Sequence, residues 1–272
     1  MTHLPVSRRV FGGELLRFGN LRTMRRLVRA ARKAARVAFS PAYPPHAHRA
    51  FDAGEFLARA ALAQKTFNND KSIFGDVLRE IGLPTADMYW DTLGLRINPP
   101  LKTHGGGFRS AVNAHRDTWG AALQAQINWW APVWQLARKR TMGFYPSYWS
   151  RPLENTTGQW RFDDFLSARK QCAPGQKVSY PSAPQPLQQP DEQAVPVLIN
   201  VGDLLAFSSA HLHSSIANQT ALTRYSIEIR TLGEDDLRAR RGAPNVDCLS
   251  HPPLVRLFRG IADGKPPPPH YF

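Results

Sequence analysis

From about residue 90 onward the sequence consists of short apolar runs separated by Gly, Pro and Asn, and this pattern most limits the folds open to the chain. The runs are TLGLRINPP, LQAQINWWAPVW, TMGFYPSYW, VPVLINV, GDLLAFSS and RYSIEIRTL. Runs of this length between turn-forming residues are typical of β-strands. Residues 51–82 instead have a helical pattern that ends before Pro84. Helices followed by many short strands predict an α+β fold with a β-barrel or jelly-roll core and N-terminal and flanking helices.

The chain is long enough for one sizeable core, with 272 residues of which 42% are hydrophobic. A Pro-rich break, SPAYPPHAH at residues 40–48, predicts a basic extension over residues 1–49 and a barrel domain over residues 50–272. The two cysteines, Cys172 and Cys248, lie far apart and are expected to be reduced thiols of a cytoplasmic protein. No apolar run reaches the ~18 residues that a membrane span needs.

The N-terminal part contains a predicted helix, residues 21–38, with basic residues at positions 22, 25, 26, 29, 32, 33 and 36. Steps of three and four place these side chains on one helical stripe, opposite Leu21, Met24, Leu27, Val28, Ala31, Ala34 and Ala35. The net charge of +14 implies an anionic partner. Two interpretations stay open: peripheral contact with an anionic inner membrane surface, in which the apolar face of the helix enters the headgroup region, or a solvated basic face packed on the domain through its alanines.

A histidine and an aspartate in the sequence NAHRDTWG, His115 and Asp117, form a His-x-Asp pair. On a strand, residues i and i+2 share a face, so both side chains can converge on one ion. An imidazole and a carboxylate suit Fe(II), and a second histidine would complete a two-histidine, one-carboxylate site with open positions for a co-substrate and O₂. The pair by itself is weak evidence, because it is common by chance.

The second half of the candidate site is GDLLAFSSAHLHSSIANQTALTRYSIEIR, residues 202–230. Arg224 and Ser226 share a strand face and offer a guanidinium and a hydroxyl to a carboxylate, as binding of 2-oxoglutarate requires. His211 and His213 also share a face, so strand geometry leaves both open as the second histidine.

Further polar and aromatic residues are candidates for the pocket. On LQAQINWW, one face carries Gln124, Gln126 and Asn128 and is either a cavity wall that contacts the co-substrate or an exposed strand face. Arg230 either pairs with Glu228 or binds a substrate anion. Thr118 and Trp119 flank the candidate ligands and are expected to shape the mouth, whereas Tyr145 and Tyr148 are either substrate contacts or core aromatics. Residues 173–196, rich in Pro and Gln, predict a long loop near the barrel mouth.

Together these motifs resemble the phytanoyl-CoA-hydroxylase-like branch of the Fe(II)/2-oxoglutarate oxygenases, over about residues 85–232. The motifs are HRD at 115, G-D-x-x-x-F at 202, H-S-S-x-x-N-x-T at 213, and Arg224-x-Ser226. The resemblance implies a double-stranded β-helix core, with Fe(II), 2-oxoglutarate and O₂ as cofactors. It makes His115, Asp117 and His213 the iron ligands and Arg224 the anchor of 2-oxoglutarate. The family spacing to Asn218 and Arg224 selects His213 over His211.

The resemblance also implies a reaction, the hydroxylation of an unactivated C–H bond with decarboxylation of 2-oxoglutarate to succinate. Halogenating relatives have a small residue where this chain has Asp117, so hydroxylation is expected. HRDTWGAALQAQINWWAPV and the segment around His213 are similar to hydroxylases of 3-deoxy-D-manno-oct-2-ulosonic acid (Kdo) in lipopolysaccharide. That similarity implies an anionic glycolipid, or another polyanion, as the substrate.

Two other functions stay open. The Arg224-x₅-Arg230 spacing and the basic charge also fit an oxygenase that repairs alkylated nucleic acid, but the Asn-x-Tyr lead-in of that group is missing. The other alternative is a barrel-fold binding protein without catalytic activity, against which the complete set of site residues argues.

Overall fold

The computed structural model describes residues 4–101, 103, 113–172 and 178–271. Its α-helices are α1 (Val6–Phe11), α2 (Arg22–Ala38), α3 (Ala53–Asn68), α4 (Lys71–Glu80), α5 (Asp117–Ala121), α6 (Phe162–Gln171) and α7 (Glu234–Arg238). Its strands are β1 (Leu16–Phe18), β2 (Met88–Trp90), β3 (Gly94–Asn98), β4 (Ile127–Pro132), β5 (Met142–Phe144), β6 (Val195–Pro196), β7 (Leu204–Ser208), β8 (His213–Ser215), β9 (Arg224–Gly233) and β10 (Arg259–Gly260). The predicted α+β class is confirmed, with the helices concentrated before residue 81.

The larger sheet is antiparallel and has the strand order β1-β7-β4-β9-β2-β10, with β3 also paired to β9. The ten residues of β9 pair with β3 near their start, with β4 in the middle and with β2 at their end. Because successive side chains of a strand point to opposite faces, the even-numbered polar residues of β9 share one face. Its odd-numbered residues, Tyr225, Ile227 and Ile229, are buried in the main core with the helices.

The smaller sheet has the strand order β6-β5-β8 and is antiparallel. A second apolar cluster joins it to the large sheet and consists of Trp130, Leu136, Met142, Phe144, Leu205 and Phe207. Alternation on β4 and β7 explains this arrangement, because Trp129 and Ala206 belong to the main core while Trp130 and Phe207 belong to the second cluster. The large sheet therefore has helices on one face and the small sheet on the other.

The N-terminal part shares this main core. On α2, the residues Met24, Leu27, Val28, Ala31, Ala34 and Ala35 are buried against the protein, and α2 packs on α3 and α4. Strand β1 pairs with β7, so residues on both sides of the predicted boundary at 49/50 build one core. The division into an extension and a domain stays a prediction.

The expectation that the apolar face of α2 could enter a membrane headgroup region is wrong. That face is already buried against the protein, and the alternative interpretation, a basic face packed on the domain through its alanines, matches the structure. None of the described helices has the length and apolarity needed to cross a membrane.

Because α2 contributes to the core, we expect Leu27→Ala to lower the free energy of unfolding by about 2–5 kcal/mol, since it leaves a cavity at a fully buried position. Chemical denaturation measures this change. Val37→Ala, on the same helix but 61% exposed, is the control and should change the stability by less than about 0.5 kcal/mol. Equal effects of the two substitutions would contradict the packing of α2.

Candidate metal centre

Three side chains converge at one end of the space between the two sheets. His115, Asp117 and His213 each offer one ligand atom, and these atoms lie within 4.8 Å of one another. His115 Nε2 is 3.4 Å from Asp117 Oδ1, and the two imidazole rings are 4.3 Å apart between centroids. The backbones of His115 and His213 exchange two hydrogen bonds of 2.9 and 3.0 Å, which hold the two histidines side by side.

The prediction that His115 and Asp117 share a strand face is wrong. His115 forms only an isolated bridge with His213, and Asp117 is the first residue of α5. A change of backbone conformation at Arg116, which is extended and precedes the helix, brings the two side chains together.

Arg116, the middle residue of the HRD motif, anchors this turn. Its side chain is almost fully buried and lies 3.0 Å from the carboxylate of Asp247. Its Nη2 donates to the backbone carbonyls of Tyr148 (2.7 Å) and Arg151 (2.9 Å). Trp119 Nε1 also donates to Asp247, over 2.7 Å. Trp119 is therefore part of a buried support under the ligands.

Hydrogen bonds leave the outer nitrogen of each imidazole free for a metal. His115 Nδ1 is 2.9 Å from the carbonyl of Asn113, and His213 Nδ1 is 3.0 Å from the carbonyl of His211. A carbonyl can only accept, so each Nδ1 donates and each Nε2 keeps its lone pair. Burial, followed by the proximity of His115, lowers the pKa of His213 to about 3 and keeps its ring neutral at neutral pH.

The carboxylate of Asp117 is held through one of its oxygens. Oδ2 accepts hydrogen bonds from Asn128 Nδ2 (2.9 Å) and from Arg230 Nε (3.0 Å). Burial alone would raise the pKa of Asp117, but Arg230 and the two histidines outweigh it, so the pKa lies well below its usual value. Oδ1 therefore remains as the oxygen that can face a cation.

Arg230 joins Asp117 to a second buried acid. Its Nη1 lies 2.9 Å from Asp91 Oδ2, and its backbone amide donates to Asp91 Oδ1 over 2.8 Å. The alternative in which Arg230 pairs with Glu228 is wrong, because Glu228 instead pairs with Arg96 at 2.8 Å. Asp91 and Arg96 were not foreseen from the sequence.

His211 points away from the three converging side chains. Its Nε2 is 3.1 Å from the carbonyl of Gly13, and its Nδ1 is 3.1 Å from the backbone amide of Ser208. Its ring packs against Trp149 at 4.5 Å between centroids. Both ring nitrogens are engaged with the backbone, so the shared strand face expected for His211 and His213 does not exist.

Arg224 is a buried cation without a carboxylate partner among the described ion pairs. Its Nη2 donates to Asn98 Oδ1 (3.2 Å) and Ser215 Oγ (3.0 Å), and its Nη1 donates to the carbonyl of Thr141. Burial, and then repulsion by Arg96, lower the pKa of Arg224 to about 10. Among the described residues, Arg224 Nε and the buried Ser226 Oγ have no hydrogen-bond partner. Arg224 lines the inner cavity and suits an anionic oxygen ligand, whereas Ser226 lines neither cavity, so its contact with a co-substrate stays a prediction.

The polar row on LQAQINWW is only partly a cavity wall. Asn128 lines the cavity beside the three ligands, whereas Gln126 is buried behind it and donates to Asn128 Oδ1 over 2.8 Å. The strand begins at Ile127, so Gln124 and Gln126 precede it, and Gln124 is half-buried. Direct contact of Gln126 with a co-substrate stays a prediction.

Two cavities meet at the candidate site and share Arg96, His115, Asp117 and Arg230. The inner one has about 500 Å³ of empty space, part of it open to solvent, and reaches His213 and Arg224. The outer one has about 1000 Å³, also partly open. Residues 182–186 of the predicted loop line this outer cavity. Residues 173–177 of that loop lie outside the described residues.

Of the aromatic and hydroxyl candidates, Trp119 lines the outer cavity, whereas Thr118, Tyr145 and Tyr148 line neither cavity. Tyr145 Oη is 3.2 Å from Ser214 Oγ, which lines the inner cavity. Tyr148 is buried and its hydroxyl donates to Asp191 over 2.9 Å, which makes it a core residue. Thr118 is buried beneath the ligands. Two further residues of the site, Arg96 and Asn98, were not predicted from the sequence. Their alternation on the predicted strand GLRIN could have indicated that they share a face.

We expect His213→Ala to abolish binding of Fe(II) or Co(II), and His211→Ala to retain it, because only His213 presents a free nitrogen to the centre. Anaerobic calorimetric titration measures both. His211→Ala should lower the free energy of unfolding by about 1–3 kcal/mol, since buried backbone groups lose their partner. The assignment is reversed if folded His211→Ala protein loses metal binding and His213→Ala protein keeps it.

Arg230→Gln should weaken metal binding about 10- to 100-fold, because Asp117 loses a charged partner that orients it. The same titration measures the change. Arg238→Gln, in the adjoining helix α7 and 65% exposed, is a matched loss of charge and should leave the affinity unchanged. An unchanged affinity in Arg230→Gln would show that the ion pair does not orient the carboxylate.

No family model matches the sequence, and no curated protein does. Among solved structures, the epimerase SnoN, in complex with Fe3+, alpha ketoglutarate and nogalamycin RO, is 15% identical, with a TM-score of 0.48 over 84% of this chain and 83% of that one. The alpha ketoglutarate dependent carbocyclase SnoK from nogalamycin biosynthesis is also 15% identical, with a TM-score of 0.45 over 94% and 96%. The non-heme monooxygenase ThoJ is 16% identical, with a TM-score of 0.45 over 84% and 77%. Similarities at this level do not assign the chain to a family.

Proposed function

We propose that this protein is an Fe(II)- and 2-oxoglutarate-dependent dioxygenase that hydroxylates an unactivated C–H bond, built on a double-stranded β-helix core. The observation that carries the proposal is the convergence of two imidazole Nε2 atoms and one carboxylate oxygen beside a buried guanidinium without a carboxylate partner. His115, Asp117 and His213 would hold the iron, and Arg224 would hold 2-oxoglutarate.

The donor set fits the metal. Two neutral histidines and one carboxylate, with open positions beside them, are typical of non-haem Fe(II) oxygenases. Bound iron, with 2-oxoglutarate and O₂, supplies the oxidising chemistry that hydroxylates the substrate and converts 2-oxoglutarate to succinate and CO₂. The protein orients the ligands: backbone carbonyls fix both imidazoles, and Arg230 with Asn128 fixes the carboxylate.

The region around Arg224 fits a carboxylate of the co-substrate. Its guanidinium is buried and forms no ion pair within the described part of the chain, which costs free energy unless an anion binds. Arg224 Nε is a buried donor without an acceptor among the described residues, and a carboxylate oxygen in the inner cavity could accept its hydrogen bond. The apolar side chains of Trp130, Met142 and Phe207 line the same cavity and limit the entry of water.

The substrate is proposed to be an anionic sugar, the Kdo residue of a lipopolysaccharide precursor. The resemblance of the motifs around His115 and His213 to Kdo hydroxylases motivates this substrate, and the polar residues that line the outer cavity, which include Arg96, Arg230, Asn113 and Gln185, are compatible with it. The Nε and Nη1 atoms of Arg230 form its ion pairs with Asp117 and Asp91, and its Nη2 atom belongs to neither pair. Guanidinium and amide groups of this kind bind carboxylates and hydroxyls, whereas an acyl chain would need an apolar wall.

Succinate formation tests the reaction class. We expect the iron-loaded protein to form succinate from 2-oxoglutarate, and Arg224→Gln to raise the KM for 2-oxoglutarate roughly 10- to 100-fold, because charged hydrogen bonds are lost. Arg238→Gln serves as the control that removes an exposed charge. A folded, iron-loaded protein that shows no visible charge-transfer band with 2-oxoglutarate would favour a non-catalytic binding protein.

Mass spectrometry of membrane glycolipids from cells with and without the protein tests the substrate, with a gain of one oxygen on the Kdo sugar as the expected result. The Asp117→Ala protein is the control and should give no gain. Removal of methyl groups from alkylated DNA by the purified protein, without change in the glycolipids, would favour the nucleic-acid alternative.

A further inference from the structure

Most of the positive charge lies in the N-terminal part of the chain. Residues 1–40 contain ten Lys and Arg but one acidic residue, Glu14, and therefore hold +9 of the net charge of +14. None of this charge lies at the candidate metal centre, whose arginines, Arg96, Arg224 and Arg230, come from β3 and β9. The proposed reaction therefore leaves this charge unexplained.

The charge is concentrated on the exposed side of α2. Four exposed side chains on successive turns, which we call the basic face, are Arg25, Arg29, Lys33 and Arg36. Within the described part of the chain, none of the four forms an ion pair, whereas their neighbour Arg26 lies 3.5 Å from Asp76. Four unpaired cations spaced by one turn repel one another, and a polyanion would relieve that repulsion.

The opposite side of α2 cannot take part in binding, because its apolar residues are fully packed against the protein. Helices that insert into lipid need a free apolar face, whereas Val37 is the one large apolar side chain that α2 exposes. The basic face also lacks aromatic residues, on which single-stranded nucleic acids stack. In addition, α2 packs along α3 and α4, unlike a helix that projects into a DNA groove.

We propose that the basic face binds the phosphate groups of an anionic phospholipid surface, by electrostatic attraction alone and without insertion of α2. Such attraction falls off within about 8 Å at physiological ionic strength and within about 3 Å at 1 M salt. Binding should therefore be strong at low salt and absent at high salt. The surface is separate from the candidate metal centre, so it would hold the protein at a membrane without occupying either cavity.

Vesicle sedimentation tests this surface, with the full-length protein and without metal or 2-oxoglutarate, so the result is independent of the proposed activity. The unmodified protein should bind vesicles that contain phosphatidylglycerol and should not bind vesicles of phosphatidylcholine alone. The triple variant Arg25→Gln, Arg29→Gln and Lys33→Gln should lose roughly a hundredfold in partitioning, because each cation near the surface contributes separately. Glutamine keeps the helix propensity, and circular dichroism checks the fold.

The matched control removes three exposed cations elsewhere, as Arg138→Gln, Arg169→Gln and Lys170→Gln. This variant has the same net charge as the α2 variant and should bind vesicles as the unmodified protein does. An equal loss in both variants would show that net charge alone is responsible and would overturn the proposal. Binding that persists at about 1 M salt, or duplex DNA binding that outcompetes the vesicles and is lost in the α2 variant, would overturn it as well.

Discussion

The candidate site depends on how a buried carboxylate is stabilised. Asp117 has lost most of its contact with water, and one of its oxygens is compensated by the guanidinium of Arg230 and the amide of Asn128. Asp91 holds Arg230 from the other side, so the cation cannot move away from Asp117. A buried carboxylate without such partners would take up a proton, and a protonated acid is a poor ligand. The second oxygen is thereby kept charged and directed toward the two histidines.

One strand, β9, supplies both the stabilising cation Arg230 and the candidate anchor of the co-substrate, Arg224. Even-numbered residues of β9 place Arg224, Ser226, Glu228 and Arg230 in a row between the sheets. Arg230 and Glu228 are neutralised by acidic and basic neighbours, whereas Arg224 is neutralised by none of the described acids. Two arginines on the same face of β9 therefore have different roles. Arg230 orients the candidate metal ligand Asp117, and Arg224 remains available to an anion. The neighbouring residues decide these roles, because Asp91 and Asp117 lie beside Arg230, whereas the neutral Asn98 lies beside Arg224.

The N-terminal part illustrates how one helix pattern can have two meanings. An amphipathic basic helix can insert into lipid or can cover a domain, and the sequence pattern is the same in both cases. In this protein the apolar stripe of α2 is consumed by the core, where Leu27 and Ala31 are fully buried. What α2 leaves exposed for a partner is mainly charge, with Val37 as its one large exposed apolar side chain. Binding to such a surface should therefore depend strongly on ionic strength.

Much of the fold and part of the site could be read from the sequence. Apolar runs between turn residues located the strands β3, β4, β5, β7 and β9, and the period of α2 located its buried side, because both depend on local side-chain spacing. The candidate residues His115, Asp117, His213 and Arg224 were also singled out from the sequence, because the motifs that contain them resemble those of a known family. The choice between His211 and His213 was not determined by strand spacing, and the expected shared face was wrong because His211 lies in a turn and bonds to Gly13. Likewise, the partners Asp91, Asn128 and Asp247 lie far from the residues they orient or come from other elements, and only the tertiary fold brings them within hydrogen-bonding distance.

The sequence therefore determined which chemical groups the chain possesses and the local elements that carry them. The tertiary structure decided which of those groups meet, which charges are paired and which remain free, because burial and electrostatic pairing depend on residues distant in the chain.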